Sequence, residues 1–453
     1  MMDEIQEELS AKIQELLTNK DYMALRSTMM ELQAADIAVL LGEFPEADIP
    51  ILFRLLPKET AAECFAYFET EVQETLINEF SDRELWTVIE GLFVDDMVDI
   101  IEEMPANVVK RIIKNTPYEK REEVNMILRY PKNSAGTIMT TEFVELKAWM
   151  TREQVYRNIR ESGVEKETVY DCYVTDASRH LIGVISVKDL IMSEDEEAVV
   201  DDLMKTEVIA ANVLEDRESV VATMKKYGFV ALPVTDGENR LVGIVTSDDA
   251  LTVIEDESTE DIEIMAAITP SEKTYFKTTV FETWKMRIPW LLFLMISSVF
   301  TSKILQYFEG QLTANGALIA FMPMLMGTAG NAGGQVSVTI IRSLSIGEVR
   351  MSDILKIVWK DFRVSILCGI TLAVVNFLKM LAVDNVTIGV ALTVSLTISL
   401  TVVVAKFIGG ILPVIAKRIG FDPAVMASPF ITTICDAVSL LLYFRVASII
   451  LGI

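Results

Sequence analysis

Histidine is almost missing from this 453-residue chain: His180 is the only one, and Leu181 follows it. An HExxH zinc-hydrolase motif therefore does not occur, and the four cysteines (Cys64, Cys172, Cys368, Cys435) are scattered with no CxxC pair. Metal sites built from imidazole or thiolate are close to excluded, and so is a disulfide framework. A specific metal would need oxygen ligands, which suits magnesium, calcium or manganese. GxSxG and Walker sequences are also absent, so the inventory argues against an enzyme. His180 itself falls in the polar loop Ala177-Ser178-Arg179-His180, where no special role is expected.

Positive charge is scarce as well, and unevenly spread. Residues 287–453 hold twelve Lys/Arg against seven Asp/Glu; the 28 and 59 that remain of the chain's 40 and 66 leave residues 1–286 with a net charge of about −31. No basic patch exists to neutralise phosphates, so nucleic acid is not a partner. Such an acidic region points to cations or to solubility alone. The start, Met1 to Leu17, is an acidic amphipathic helix pattern, and no cleavable signal peptide is expected there.

Residues 1–130 read as an acidic helical N-terminal domain. Apolar residues recur at spacings of three and four in Ala35–Leu41, Ile51–Leu56, Val72–Phe80, Leu85–Phe93 and Met97–Ile101, with breaks at Pro45, Pro57, Pro105 and Pro117. The pattern predicts stacked helical hairpins in a small superhelix. From residue 131 the pattern changes and repeats. Ser134–Glu142 is echoed by Val200–Glu207, and Leu181-Ile182-Gly183-Val184-Ile185-Ser186-Val187-Lys188-Asp189 by Leu241-Val242-Gly243-Ile244-Val245-Thr246-Ser247-Asp248-Asp249. Each copy predicts β-α-β-β-α, and the tandem resembles a pair of cystathionine-β-synthase (CBS) domains, 131–198 and 199–254. Residues 255–286 predict one long connecting helix with an acidic start and a basic end.

Five apolar segments follow, Ile288–Phe308, Ala317–Leu344, Phe362–Val383, Val386–Ala416 and Ala424–Ile453, each near or above the roughly 20 residues needed to span a bilayer. Basic residues cluster in the loops on one side (Lys285/Arg287, Arg342 to Arg363, Lys417/Arg418). By the positive-inside rule the soluble part is cytoplasmic, the C-terminus faces out, and the protein is a multi-pass cell-membrane protein.

Asp436 sits in the middle of the last segment. A carboxylate near the membrane midplane costs several kcal/mol and marks a functional hypothesis. Thr432 and Thr433 lie one turn before it and Ser439 one turn after, on the same helical face. In the second segment, Pro323 and the glycines of Met322–Gln335 disfavour an ordinary helix. Two readings stand: irregular backbone lining a pore, with Asn331 and carbonyls as ligands, or close helix packing through small residues. Asp422, in Gly420-Phe421-Asp422-Pro423, is expected to cap the last helix.

The order of acidic helical domain, CBS pair, connecting (plug) helix and five-helix transmembrane domain resembles the MgtE family of magnesium channels/transporters. Pro323–Gln335 followed by Arg342, and Asp422-Pro423-Ala424 through Ser428-Pro429-Phe430-Ile431-Thr432-Thr433 to Asp436, carry the likeness. The resemblance implies a homodimer whose pore lies on the two-fold axis, with Asp436 of both subunits facing a hydrated Mg²⁺ and Ser428, Thr432, Gly330 and Asn331 around it. It also implies a Mg²⁺-sensing gate, at Asp95 and Asp99 of the helical domain, Asp216, Glu218 and Asp249 of the second CBS copy, and Glu257, Glu260 and Asp261 of the connecting helix. The CBS motifs further resemble adenosine-nucleotide sites, with Ser186, Asp189 and Thr246 as candidate contacts and ATP as the nucleotide. The rival readings are a CBS-regulated transporter of Co²⁺ or Mn²⁺, an anion channel, or a membrane-anchored sensor without transport.

Overall fold

The computed structural model describes residues 2–163, 166–195, 198–271, 275, 278–310 and 316–452, with side chains throughout except at 2–5, 351 and 428. The chain divides into two units, Met1–Ile254 and Glu255–Ile453.

In the first unit, ten helices run from α1 (Met2–Thr18) to α10 (Tyr118–Ile127), most of them eight to ten residues long. They are short for a stated reason. Pro57, Pro105 and Pro117 stand at the N-cap positions of α5 (Lys58–Ala66), α9 (Ala106–Asn115) and α10, where a missing N–H costs nothing to the helix that follows but ends the one before. Ser81 opens α7 (Asp82–Gly91) with a reciprocal capping box to Glu84. The apolar faces meet in one core with Leu25, Leu41, Leu52, Phe65, Leu76 and Leu85, and that core continues into the second repeat at Val220, Leu232 and Val245.

Each repeat forms a three-stranded sheet. β1 (Phe143–Lys147) pairs parallel with β2 (Thr168–Thr175), which pairs antiparallel with β3 (Leu181–Ser186). The second sheet repeats this with β4 (Ala211–Asn212), β5 (Ala231–Thr235) and β6 (Leu241–Thr246). The helices α11 (Arg152–Ser162), α12 (Val187–Met192), α13 (Val200–Leu203), α14 (Arg217–Tyr227) and α15 (Ser247–Met265) complete the repeats. The echoed Met and Gly positions lock the copies together crosswise. Met139, at the start of copy one, packs on Gly243 of copy two, and Met204, at the start of copy two, packs on Gly183 of copy one. A Cβ at Gly243 would stand 2.7 Å from Met139 Sδ, so neither glycine has room for a side chain.

The long helix expected over 255–286 is not continuous. The second unit begins within α15, which ends at Met265; Ala267 adopts a left-handed conformation (φ 57°) and Pro270 follows. A Thr279–Glu282 capping box then starts α16 (Val280–Tyr307). Periodicity carried no sign of that left-handed residue.

Helices α16, α17 (Met322–Ser345), α18 (Ile354–Ala382), α19 (Ile388–Arg418) and α20 (Ser428–Leu451) form the rest of the unit. Among the described residues four stretches are long and apolar enough to cross a membrane, those of α16, α18 and α19 and Pro423–Leu451, which includes α20; α17, richer in small and polar residues, packs with them as the fifth helix. The irregular backbone expected at Pro323–Gln335 is not there: after a 3-10 turn at Gly316–Phe321 the chain is helical from Met322 to Ser345. Pro323 sits in the first turn, where proline is tolerated. The glycines serve packing instead. A Cβ on Gly330 would stand 2.7 Å from Thr432 Cγ2, one on Gly333 2.8 Å from Ile431 Cγ2 and 2.9 Å from Cys435 Sγ, and one on Gly409 would run into the Gly333 carbonyl. Small residues let α17, α19 and α20 approach backbone to backbone.

Candidate cation sites

Two sets of carboxylates stand out, one in each unit. In the first unit, α8 (Val94–Glu103) opens with Asp95 and Asp96, α15 opens with Asp248 and Asp249, and Glu142 and Glu167 flank the first pair of the β1–β2 ladder, Phe143 with Thr168. Asp95 is 8% exposed, and its Oδ1 accepts the Asp96 amide at 3.0 Å. Burial, then the charge of Asp249, holds its carboxyl far above the usual carboxylate range. Burial pushes Asp249 up to about 7 against a 2.8 Å hydrogen bond from Thr246 Oγ1. Asp96 rises to about 6 through burial, and Glu167 to about 8 through burial and then the charges of Asp248, Asp96 and Asp249. Asp99 keeps solvent access, yet desolvation and Asp249 push it upward too.

Counter-charge is thin. Lys120 lies 3.9 Å from Glu142 Oε1, and its ammonium donates to the Leu92 carbonyl. Glu142 Oε2 accepts the Val94 amide at 2.9 Å, while Glu167 Oε2 is buried with no hydrogen-bond partner among the described residues. Among the described residues no three carboxylate, imidazole or thiolate groups close around a point as a ligand cage. The arrangement is a crowd of acids, suited to ions that keep part of their water.

The structure thus brings Asp95, Asp99 and Asp249 together and adds Asp96, Glu142, Glu167 and Asp248, which sequence reasoning missed. The doubled acids Asp95-Asp96 and Asp248-Asp249 were the available signal. Asp216 and Glu218 lie apart from that crowd, at the start of α14, where Asp216 Oδ1 caps the helix by accepting the Glu218 amide at 2.9 Å. Glu257, Glu260 and Asp261 belong to the second unit, on the last turns of α15. There Ile264 and Met265 pack on Ile341, Ala424 and Ala427. Asp261 is pushed upward by burial and then by Asp422, with Arg342 and a Ser345 hydrogen bond opposing. Asp422 caps the short turn Pro423–Met426 through a 2.8 Å bond from the Ala424 amide, rather than α20 itself as expected.

The second set is a single residue. Asp436 stands within α20 with Oδ1 buried and, among the described residues, no hydrogen-bond partner. Its expected hydroxyl companions are otherwise engaged. Ser439 Oγ donates to the Asp436 main-chain carbonyl (2.8 Å) and Thr433 Oγ1 to that of Pro429 (3.0 Å). Thr432 packs against Gly330, whereas Asn331 and Gln335 lie on the exposed side of α17. No hydrogen bond links Asn331 to Asp436 among the described residues; the side chain of Ser428 lies outside them. Arg445, which the sequence reading passed over, is exposed on the same helix nine residues on, about 13 Å along the axis.

The candidate nucleotide contacts are occupied by local structure. Ser186 Oγ caps α12 by accepting the Asp189 amide (3.1 Å), and Asp189 pairs with Lys205 at 3.4 Å. A hydrogen bond from the Ser186 side chain to its carboxylate, and then Lys205, hold the Asp189 carboxyl below its ordinary range. Thr246 is buried and bonded to Asp249.

Comparison with known proteins places these features. Residues 322–446 match the family model described as MgtE, divalent cation transporter; residues 32–133 match the MgtE intracellular N domain, and 200–256 a CBS domain. The chain is 34% identical to the magnesium transporter MgtE of Thermus thermophilus, over 99% of each chain. It is 32% identical to that of Bacillus subtilis over 98% of this chain and 97% of the other. The crystal structure of the soluble part of a magnesium transporter superposes with TM-score 0.53 at 30% identity, covering 56% of this chain and 99% of that one. The cytosolic domain of the Mg²⁺ channel MgtE in complex with ATP gives 0.51 at 35%, covering 54% and 99%. Acidic helices, paired repeats and an apolar bundle around one buried acid belong, on this likeness, to a multidomain membrane protein: the chain is a member of the MgtE family of divalent cation transporters.

Proposed function

We propose that this chain is a Mg²⁺ channel or transporter that imports magnesium across the cytoplasmic membrane, with Asp436 as the ion's contact in the pore. The observation that carries this reading is the buried Asp436 oxygen with no partner inside a helical bundle, in a chain whose full-length relatives bear the name magnesium transporter. An uncompensated carboxylate in hydrocarbon is unstable unless a cation visits it. Mg²⁺ surrenders its water reluctantly, so one acid from each of two subunits facing a hydrated ion suits it. Homodimer formation supplies that second acid, and Thr432, Gly330, Asn331 and Ser428 complete the surroundings.

The acids of the first unit, together with three on the last turns of α15, form the sensor in this reading. Asp95, Asp99 and Asp249, with Asp216, Glu218, Glu257, Glu260 and Asp261, bind cytosolic Mg²⁺, and its binding closes the pore. Residues 1–130, 131–198 and 199–254 act as the helical and CBS domains, 287–453 as the pore domain, and the soluble part faces the cytoplasm with the C-terminus outside. ATP binding at the CBS pair, near Ser186, Asp189 and Thr246, is supported by the ATP complex of the 35%-identical cytosolic domain.

The test is ion flux in liposomes. Wild-type protein should carry Mg²⁺, and Asp436→Asn, equally expressed, should not. Uptake of Co²⁺ or Mn²⁺ that excess Mg²⁺ fails to suppress would move the assignment to another divalent cation, and chloride flux would overturn it.

A further inference from the structure

Outside both acid sites, a cavity of about 430 Å³ opens between α18 and α19. Its walls are Trp359, Phe362, Val403, Val404 and Phe407, yet Asp361 and Lys406 also line it. Lys406 is 7% exposed, one of two buried charged side chains among the described residues, the other being Asp95. Its Nζ lies 3.5 Å from Cys368 Sγ, and Asp361 feels its charge together with that of Lys360. Beside the opening, the Arg363 guanidinium stands 5.8 Å from the ring centre of Trp359, which is 60% exposed. The lining itself holds one cation, Lys406, against one carboxylate, Asp361; Arg363 adds a cation at the Trp359 wall, and Lys360 stands on the same turn of α18 outside the lining.

We propose that the groove binds an anionic phospholipid of the leaflet that holds the N-terminal end of α18 and the C-terminal end of α19. The apolar walls take an acyl chain, and the volume falls within the roughly 300–1,000 Å³ usual for small-ligand sites. Asp361 offsets buried Lys406, so Arg363 at the Trp359 wall and Lys360 on the same turn of α18 supply the excess positive charge for the phosphate, and Trp359 sits where indole rings anchor at the membrane interface. A zwitterionic headgroup would bring its own cation into a site already rich in them. The neighbouring residue on α19, Gly409, packs on the Gly333 carbonyl of α17, while Gly410 lines the groove. Lipid in the groove thus presses on the same turn that supports the glycine-packed bundle.

This inference rests on the membrane embedding of α16–α20, and its readout is lipid retention, so it fails separately from any flux result. Full-length protein in detergent is offered phosphatidylglycerol or phosphatidylcholine at equal concentration, and retained lipid is counted by native mass spectrometry. Phosphatidylglycerol should be preferred, by roughly fivefold for each cation that contributes. The Lys360→Gln/Arg363→Gln double variant should bring the two lipids to parity. Lys356→Gln, an exposed lysine paired with Asp353, should leave the preference intact. Val404→Trp should cut retention of both lipids by filling the groove; if that variant does not fold, the double charge variant decides. Equal retention by wild type, a preference that survives the double variant, an equal loss with Lys356→Gln, or displacement by excess inorganic phosphate would each overturn the site.

Discussion

The acids of the two units are placed in opposite ways. In the first, burial and neighbouring carboxylates together raise the cost of Asp95, Asp99, Glu167 and Asp249, with Asp96, Glu142 and Asp248 close by and Lys120 3.9 Å from Glu142. In the second, Asp436 stands without another acid beside it, and its cost comes from burial and an oxygen left without a donor. A crowd of carboxylates relaxes in steps as cations or protons arrive, because each arrival relieves several repulsions at once. A lone carboxylate has only two conditions, attended and unattended. The first behaviour suits a gauge of concentration and the second a stepping stone.

The sharpest way to break this contrast is to remove the lone charge. Asp436→Asn keeps the shape and loses the anion, and flux should fall by about 100-fold, the scale of losing one buried charge contact worth a few kcal/mol. Asp436→Glu should keep part of it. A well-folded Asn variant with wild-type liposome flux would end the stepping-stone reading. Next in size is the glycine packing of α19 on α17. Gly409→Ala drives a methyl into the Gly333 carbonyl, and overpacking of that kind typically costs about 1–3 kcal/mol. Melting of the detergent-solubilised protein should drop by several degrees, whereas Gly327→Ala, with open space around it, should leave it unchanged.

The crowd should respond more gently. Asp249→Asn removes one of the repelling members and one prospective ligand, so the Mg²⁺ needed for half-maximal protease protection of residues 90–110 should rise by roughly fivefold, about 1 kcal/mol. The metal-free protein should at the same time be more protected than wild type. Asp21→Asn lies outside the crowd, at the cap of the helix Tyr22–Met29, and should leave the Mg²⁺ midpoint in place; equal shifts in both variants would dissolve the distinction between crowd and cap.

How much of this was visible in the residues alone follows the same divide. Asp436 was legible because one charge in an apolar run is conspicuous, and the two repeats because Gly183 and Gly243 recur with their motifs. The glycines of α17 were not, since Gly330 and Gly333 read equally well as a broken helix or as a packing face; Gly409, some 76 positions on, decides the matter only once the chain has folded. Glu142 and Glu167 were hidden for a related reason. Nothing local marks them, and only the parallel pairing of Phe143 with Thr168 sets them side by side. The break after Met265 turned on one left-handed alanine, which leaves no trace in hydrophobic spacing.

The smallest effect, and the one that separates crowd from lone acid on chemical grounds, is that of pH. Asp96, Asp249 and Glu167 have folded-state values near 6, 7 and 8, all above the ordinary 3.8 for aspartate and 4.5 for glutamate. Groups raised in this sense bind protons more tightly when folded. Their stability contribution is complete below about pH 4 and is lost as pH climbs through 6 to 8. In chelator, therefore, hydrogen exchange of the α8 amides in the full-length protein should slow as pH is lowered from 8 to 5.5, after correction for intrinsic exchange. Mg²⁺ and protons relieve the same repulsion, so added Mg²⁺ should slow exchange strongly at pH 8 and little at pH 5.5. Protection that is flat with pH in chelator, or a Mg²⁺ effect of equal size at both ends, would mean that these carboxylates do not share one electrostatic strain.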